Sequence, residues 1–192
     1  GMGTWLAVFD HNGDLAGSIS QRPNLMPILG LLEKKGDEIF ANADSVIVEV
    51  DMDKDIIKKV VALAKQYNKK LYGVVSNMSI AVERRDFLKH FDCFICNQLE
   101  AGMLFMEDYA DKSPEELRDI LSKRVILGKI PAMIVTMGGN GAVYADVNGE
   151  KGICPPQRVR VKDTTGAGDA FCAGVASGLT YGKTLSEAVE IG

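Results

Sequence analysis

Histidine is scarce in this 192-residue chain, which has only His11 and His90, and cysteine numbers just four. Cys93 and Cys96 form C-x-x-C, but they lie inside the apolar run Phe91-Asp92-Cys93-Phe94-Ile95-Cys96, and no second pair stands at metal-ligand spacing. Buried, reduced thiols are therefore expected in place of a zinc site, a redox pair or a disulfide framework. A reducing, cytoplasmic setting follows as an expectation. Long apolar runs are missing too, and none approaches the ~20 residues that a membrane-spanning helix requires. The opening Met2-Gly3-Thr4-Trp5 lacks a basic segment followed by an apolar one, so no secretory leader is expected. There is no excess of positive charge, since 22 basic residues stand against 26 acidic ones. That balance gives no electrostatic footprint for nucleic acid.

What is present suits one compact α/β unit. Apolar residues make up 46% of the chain and charged residues 25%, and the length is enough to bury a sizeable core. Thr4 to Phe9 and Leu15 to Ser20 flank the turn dipeptide Asn12-Gly13, which predicts a β-hairpin at residues 1–22. From residue 23 to 192 the texture changes to short apolar runs alternating with helical spacing. Val46 to Val50, Leu71 to Val75, Phe91 to Cys96, Met133 to Thr136 and Gly141 to Asp146 read as strands. Leu25 to Phe40 and Asp55 to Gln66 read as helices, the second with Ile56, Val60, Leu63 and Ala64 on one face. Ser113-Pro114-Glu115-Glu116 and Thr184-Leu185-Ser186-Glu187 are helix starts of the capping-box kind. This alternation predicts a mostly parallel sheet with helices on both faces, a three-layer α/β/α arrangement. The last helix has room for only about two turns before Gly192, as if the chain stopped within an element.

Chemistry concentrates in Asp163-Thr164-Thr165-Gly166-Ala167-Gly168-Asp169. The segment follows Arg158 to Val161, which reads as strand-like, and leads into the small-residue helix that begins Cys172-Ala173-Gly174. Gly166 and Gly168 place no side chain between backbone N–H groups and a ligand, and the following helix adds its positive end. Gly166, Ala167 and Gly168 are thus a candidate anion hole. Asp169, at the mouth of that site, could take the proton of an attacking hydroxyl; it could also simply cap the helix.

The stretch Asp163 to Gly174 resembles the C-terminal motif of the ribokinase-like, or PfkB, carbohydrate kinases. Thr136-Met137-Gly138-Gly139-Asn140-Gly141 is similar to that family's T-x-G-x-x-G turn, and Asn97-Gln98-Leu99-Glu100 to its N-x-x-E motif, in the same order along the chain. The hairpin and Asn97 to Ala101 further resemble pseudouridine kinases. The resemblance implies a ribokinase-like fold and ATP-dependent transfer to a hydroxyl of a sugar or nucleoside, with Asp169 as base. It implies that Asn97, Glu100, Thr136, Gly138, Gly139 and Gly141 border the nucleotide. Glu100 would organise Mg²⁺ through water, and Asp163 with Thr165 would hold a monovalent cation such as K⁺. Read on their own, Asn97 and Glu100 are first an N-cap and its capping-box partner, and both readings can hold together. Ser76-Asn77 stands where relatives carry Asp-Pro. The family pattern also implies a lid hairpin, a homodimer, and missing segments at both ends, so that a nucleotide-binding fragment without its sugar site is the alternative.

Overall fold

The computed structural model describes residues 2–9, 15–161 and 164–192. The Asn12-Gly13 turn and Asp163 lie outside these residues. Strands β1 (Thr4–Phe9) and β2 (Leu15–Gln21) pair antiparallel as a separate two-stranded sheet. Six further strands form one sheet in sequential order: β3 (Ser45–Glu49), β4 (Lys70–Val74), β5 (Cys93–Asn97), β6 (Ala132–Thr136), β7 (Ala142–Asp146) and β8 (Lys151–Cys154). The first four run parallel, and β7 and β8 are added antiparallel.

Helices α1 (Met26–Asn42), α2 (Lys54–Gln66), α3 (Met78–Ala81), α4 (Gln98–Phe105) and α5 (Pro114–Gly128) carry the chain between the strands, with a 3₁₀ segment at Val82–His90. Leu32, Ile56, Leu63, Leu104 and Leu121 from these helices pack on Val48, Leu71, Phe94 and Val135 on one face of the sheet. On the other face Tyr72, Cys93, Ile95, Ile134 and Tyr144 meet Cys172, Val175, Ala188 and Val189 of α6 (Ala167–Thr180) and α7 (Leu185–Ile191). Because strand side chains alternate, one strand feeds both cores. The expected three layers are therefore present. The predicted helix starts hold as well: Ser113 with Glu116 and Thr184 with Glu187 form reciprocal capping boxes.

The alternation also decides the fate of the C-x-x-C pair. Three residues apart on β5, the two thiols face opposite ways, Cys93 into the α6–α7 core and Cys96 into the other. Both are free and buried, and burial pushes both thiols up from their ordinary range. They cannot share a metal or a disulfide without remaking the strand.

One expected strand is absent. Residues 155–161 are irregular and expose Val159 and Val161. Pro155 and Pro156 open this segment without a backbone N–H to give to a ladder, which ends the pairing at Cys154. The strand that does form there, β8, carries a single large aliphatic side chain, Ile153.

Helices α6 and α7 touch through backbone. A Cβ added at Gly174 would come within 2.8 Å of the Gly192 Cα and 2.9 Å of the Ile191 carbonyl oxygen.

Candidate active site

The carboxyl ends of the four parallel strands carry a row of polar residues, as the open edge of such sheets does where ligands bind. At β3 and β4, the Ser76 hydroxyl donates to Glu49 Oε1 at 2.7 Å. At β5 and β6, Asn97 and Thr136 are paired in register, which brings the N-x-x-E and T-x-G-x-x-G segments side by side.

Asn97 caps α4. Its Oδ1 accepts from the Glu100 N–H at 2.9 Å, while Glu100 Oε2 accepts from the Asn97 N–H at 2.7 Å. The capping-box reading thus holds. It leaves Glu100 half-buried, and burial raises its carboxyl above the usual range despite the Asn97 amide. A partly desolvated carboxylate gains from a cation nearby, so Glu100 fits an outer role toward Mg²⁺, which keeps several waters and takes few protein ligands. Among the described residues no group of three or more His, Cys, Asp or Glu side chains converges.

Thr136 leads into a tight turn. The Met137 N–H donates to the Gly141 carbonyl at 2.8 Å and the Gly141 N–H to the Gly138 carbonyl at 3.1 Å. Gly141 has φ +86°, and a Cβ there would collide with the Cys154 carbonyl oxygen of β8. Only glycine allows this turn to lie against β8.

The second glycine segment starts α6. Gly166 is the N-cap in the left-handed region at φ +78°, and Asp169 lies in the first turn, exposed to solvent. Ala167 donates its N–H to the Thr164 carbonyl at 3.1 Å. Of the expected hole, Ala167 thus has a local acceptor, and Gly168 lies in the helix's first turn, where an α-helix supplies no intrahelical acceptor for the amide. Thr165 lies in the turn just before the N-cap.

These two glycine segments bound one cleft of about 710 Å³. Thr136, Gly138 and Gly141 line it from the β6–β7 turn, and Ala167 and Gly168 from the start of α6. Gly139, Gly166, Asp169, Asn97 and Glu100 are not among its lining residues. Sequence reasoning missed the rest of the wall: Pro155, Pro156 and Gln157 after β8, Phe171 of α6, and Glu190 of α7.

It also missed Asp51, just beyond β3. This carboxylate is 3% exposed, lies 3.3 Å from the Arg22 guanidinium, and leaves Oδ1 without a hydrogen-bond partner among the described residues. Burial raises its proton affinity most and Glu49 adds to that, while Arg22 and the amides of Asp51 and Asn77 oppose it. Arg22 also donates to the Asp51 carbonyl at 3.0 Å, tying the end of the hairpin to the carboxyl edge of the main sheet. An acidic residue ending the run Val46 to Val50 was the available signal.

Known proteins resemble this chain along nearly its whole length. The chain is similar to guanosine-inosine kinase of Exiguobacterium acetylicum, 33% identical over 195 aligned residues that cover all of this chain and 63% of that protein. Pseudouridine kinase of Escherichia coli is 41% identical over 58 residues, 30% of this chain and 18% of its own. Ribokinase of Arabidopsis thaliana, solved with ribose and ATP, superposes with a TM-score of 0.76 at 21% identity, covering 97% of this chain and 59% of its own. The chain thus spans less than two thirds of the length of the relatives it matches along its whole extent. The pattern of the pfkB family carbohydrate kinases matches residues 20–192, and the chain belongs to that family.

Proposed function

We propose that this chain carries the nucleotide-binding and phosphoryl-transfer part of an ATP-dependent kinase whose acceptor is a hydroxyl of a nucleoside or a sugar. The observation that carries this reading is the single cleft bounded by the Thr136–Gly141 turn and the Ala167–Gly168 helix start. Similarity along the whole chain to a guanosine-inosine kinase, and over 58 residues to a pseudouridine kinase, supports a nucleoside acceptor.

In this reading the nucleotide lies along the Thr136–Gly141 turn with its γ-phosphate at the start of α6. Asp169 takes the proton of the acceptor hydroxyl as that oxygen bonds to phosphorus, and the bond from phosphorus to the bridging oxygen of ADP breaks. The helix start holds the negative charge carried across. Asn97 and Glu100 are the residues that would hold Mg²⁺ through water, and the ion would supply positive charge to neutralise the phosphates. Asp163 and the Thr165 carbonyl are the groups that would hold a monovalent cation, which would add positive charge for the transferring phosphoryl group. Most of the rate comes from positioning and charge stabilisation, as in phosphoryl transfer generally.

The hairpin serves as a lid over the acceptor and as the contact with a second copy. Leu6 and Ile19 are register partners, and Val8 follows on the same face. All three are more than half exposed, an apolar surface that a partner hairpin would cover. Free, buried cysteines suit a reducing cytoplasm, and among the described residues no helix is long and apolar enough to cross a membrane.

A second reading is a nucleotide-binding fragment without acceptor chemistry. It is favoured by β3, which pairs only with β4 among the described residues and leaves Ile47 47% exposed. A coupled assay of ADP release with ATP, Mg²⁺ and guanosine, inosine, pseudouridine or ribose separates the two. Acceptor-dependent turnover that Asp169→Asn abolishes supports the kinase. ATP binding without turnover on any acceptor supports the fragment.

A further inference from the structure

A second cleft, of about 520 Å³, opens at the amino ends of β4 and β5, at the far end of the sheet from Asn97 and Thr136. Five-residue strands put roughly 17 Å between the two ends. Its lining includes Lys65, Lys69, Lys70 and Lys89, the imidazole of His90, and one carboxylate, Asp92.

Asp92 cannot balance this set, because both of its oxygens are engaged. Oδ1 accepts from Lys70 Nζ at 2.7 Å and Oδ2 from the Leu71 N–H at 2.9 Å. Lys69 Nζ donates to the neutral Ala41 carbonyl at 3.3 Å, which leaves its charge uncompensated. Lys65 and Lys89 make no ion pair among the described residues. On α1, Asp37 accepts from Gln66 Nε2 and the Tyr67 hydroxyl; these donors are neutral, so Asp37 keeps its charge, but it is not part of the cleft's lining.

Lysines near helix ends can serve only to satisfy the last carbonyls. Lys69 does this for the Ala41 carbonyl in the last turn of α1, but for α2 and the 3₁₀ segment, which carry Lys65 and Lys89, the backbone already does it. The Tyr67, Asn68 and Lys69 amides take the Leu63, Lys65 and Ala64 carbonyls at 2.9, 3.3 and 2.8 Å, and the Phe91 amide takes that of Leu88 at 3.2 Å. In a chain of net charge −4, four lysines lining one concave surface give a local potential opposite in sign to that of the whole, which favours an anion.

We propose that this cleft binds a multiply charged, phosphate-bearing small molecule, a ligand site separate from the phosphoryl-transfer cleft. The Lys65, Lys69 and Lys89 ammonium groups supply charge-assisted hydrogen bonds to phosphate oxygens, and the volume lies in the range of small-molecule sites.

His90 is a built-in reporter, since His11 is the chain's one other histidine. Its imidazole proton resonance, assigned with His90→Gln, is followed by NMR while pyrophosphate is added in metal-free buffer. The expected result is a saturating shift that sodium chloride of equal ionic strength does not reproduce. Lys65→Ala/Lys89→Ala should weaken the apparent affinity by at least about tenfold, and Lys65→Arg/Lys89→Arg should keep most of it. No shift, a shift that follows ionic strength alone, or equal saturation in the alanine double variant would each overturn the proposal and leave the lysines as solvated charge.

Discussion

Asn97 and Thr136 form the last register pair between two parallel strands, so the capped start of α4 and the glycine turn after β6 leave the sheet at the same level. Asn97 is bound into its capping box on one side and stands next to the proposed nucleotide turn on the other. Asn97→Ala should therefore have two separable effects. Loss of the cap should cost about 1 kcal/mol in denaturant unfolding. If the pair also holds the hydrated Mg²⁺, calorimetry should show that the gain in ATP affinity on adding Mg²⁺ shrinks; a loss of stability alone would leave only the cap.

The proposed role of Asp169 predicts a loss confined to the chemical step. Asp169→Asn should lower the acceptor-dependent rate by about 10²–10⁴-fold while ATP affinity measured by calorimetry stays close to that of the parent. The residue is solvent-exposed in the first turn of α6, so thermal unfolding should change little. A variant that retains the parent rate would remove Asp169 from the mechanism.

Gly141 is predicted to be intolerant of any side chain. Its backbone is left-handed, and the Cys154 carbonyl occupies the place of a Cβ. Gly141→Ala should lose at least about 1–2 kcal/mol from backbone strain alone, with further cost from displacing β8. The same variant should weaken nucleotide binding, because Thr136, Gly138 and Cys154 all line the cleft. Chemical denaturation and calorimetry measure the two losses.

Asp51 gives a prediction in pH. Its native carboxyl titrates above the ordinary range, chiefly through burial, so the folded chain keeps this proton to higher pH than the unfolded chain. Its contribution to stability is then full below the unfolded carboxylate value and is lost as pH rises from there through the raised native value. Asp51→Asn should flatten that part of the stability profile. Arg22→Ala should steepen it and cost about 1–3 kcal/mol near neutrality, because a buried charge loses its partner. Urea unfolding across the acid range would read both.

Local signals were legible in the sequence, and long-range ones were not. Each capping box, at Asn97, Ser113 and Thr184, closes over three residues, so its whole cause lies within four letters of sequence. The apolar strands were equally plain, since burial on both faces removes polar residues from them. The β8 strand was hidden by its short polar content, although Asn148-Gly149 ahead of it is a turn signal of the kind used for the hairpin. Arg158 to Val161 reads as strand-like on its own four residues, but the two prolines before it end the pairing at Cys154. Asp51 escaped because its character comes from Arg22, 29 residues away, and from burial. The two glycine motifs could be recognised one at a time; their meeting in one cleft depends on how α6 packs on the sheet.

That packing bears on the shape of the site. Gly174 brings α6 into backbone contact with the end of α7, while Val175, Ala188 and Val189 share one apolar cluster beside it. A side chain at Gly174 would have to push the two helices apart. Because Gly168 and Phe171 of α6 and Glu190 of α7 all line the cleft, a substitution outside the two glycine segments would reshape its wall.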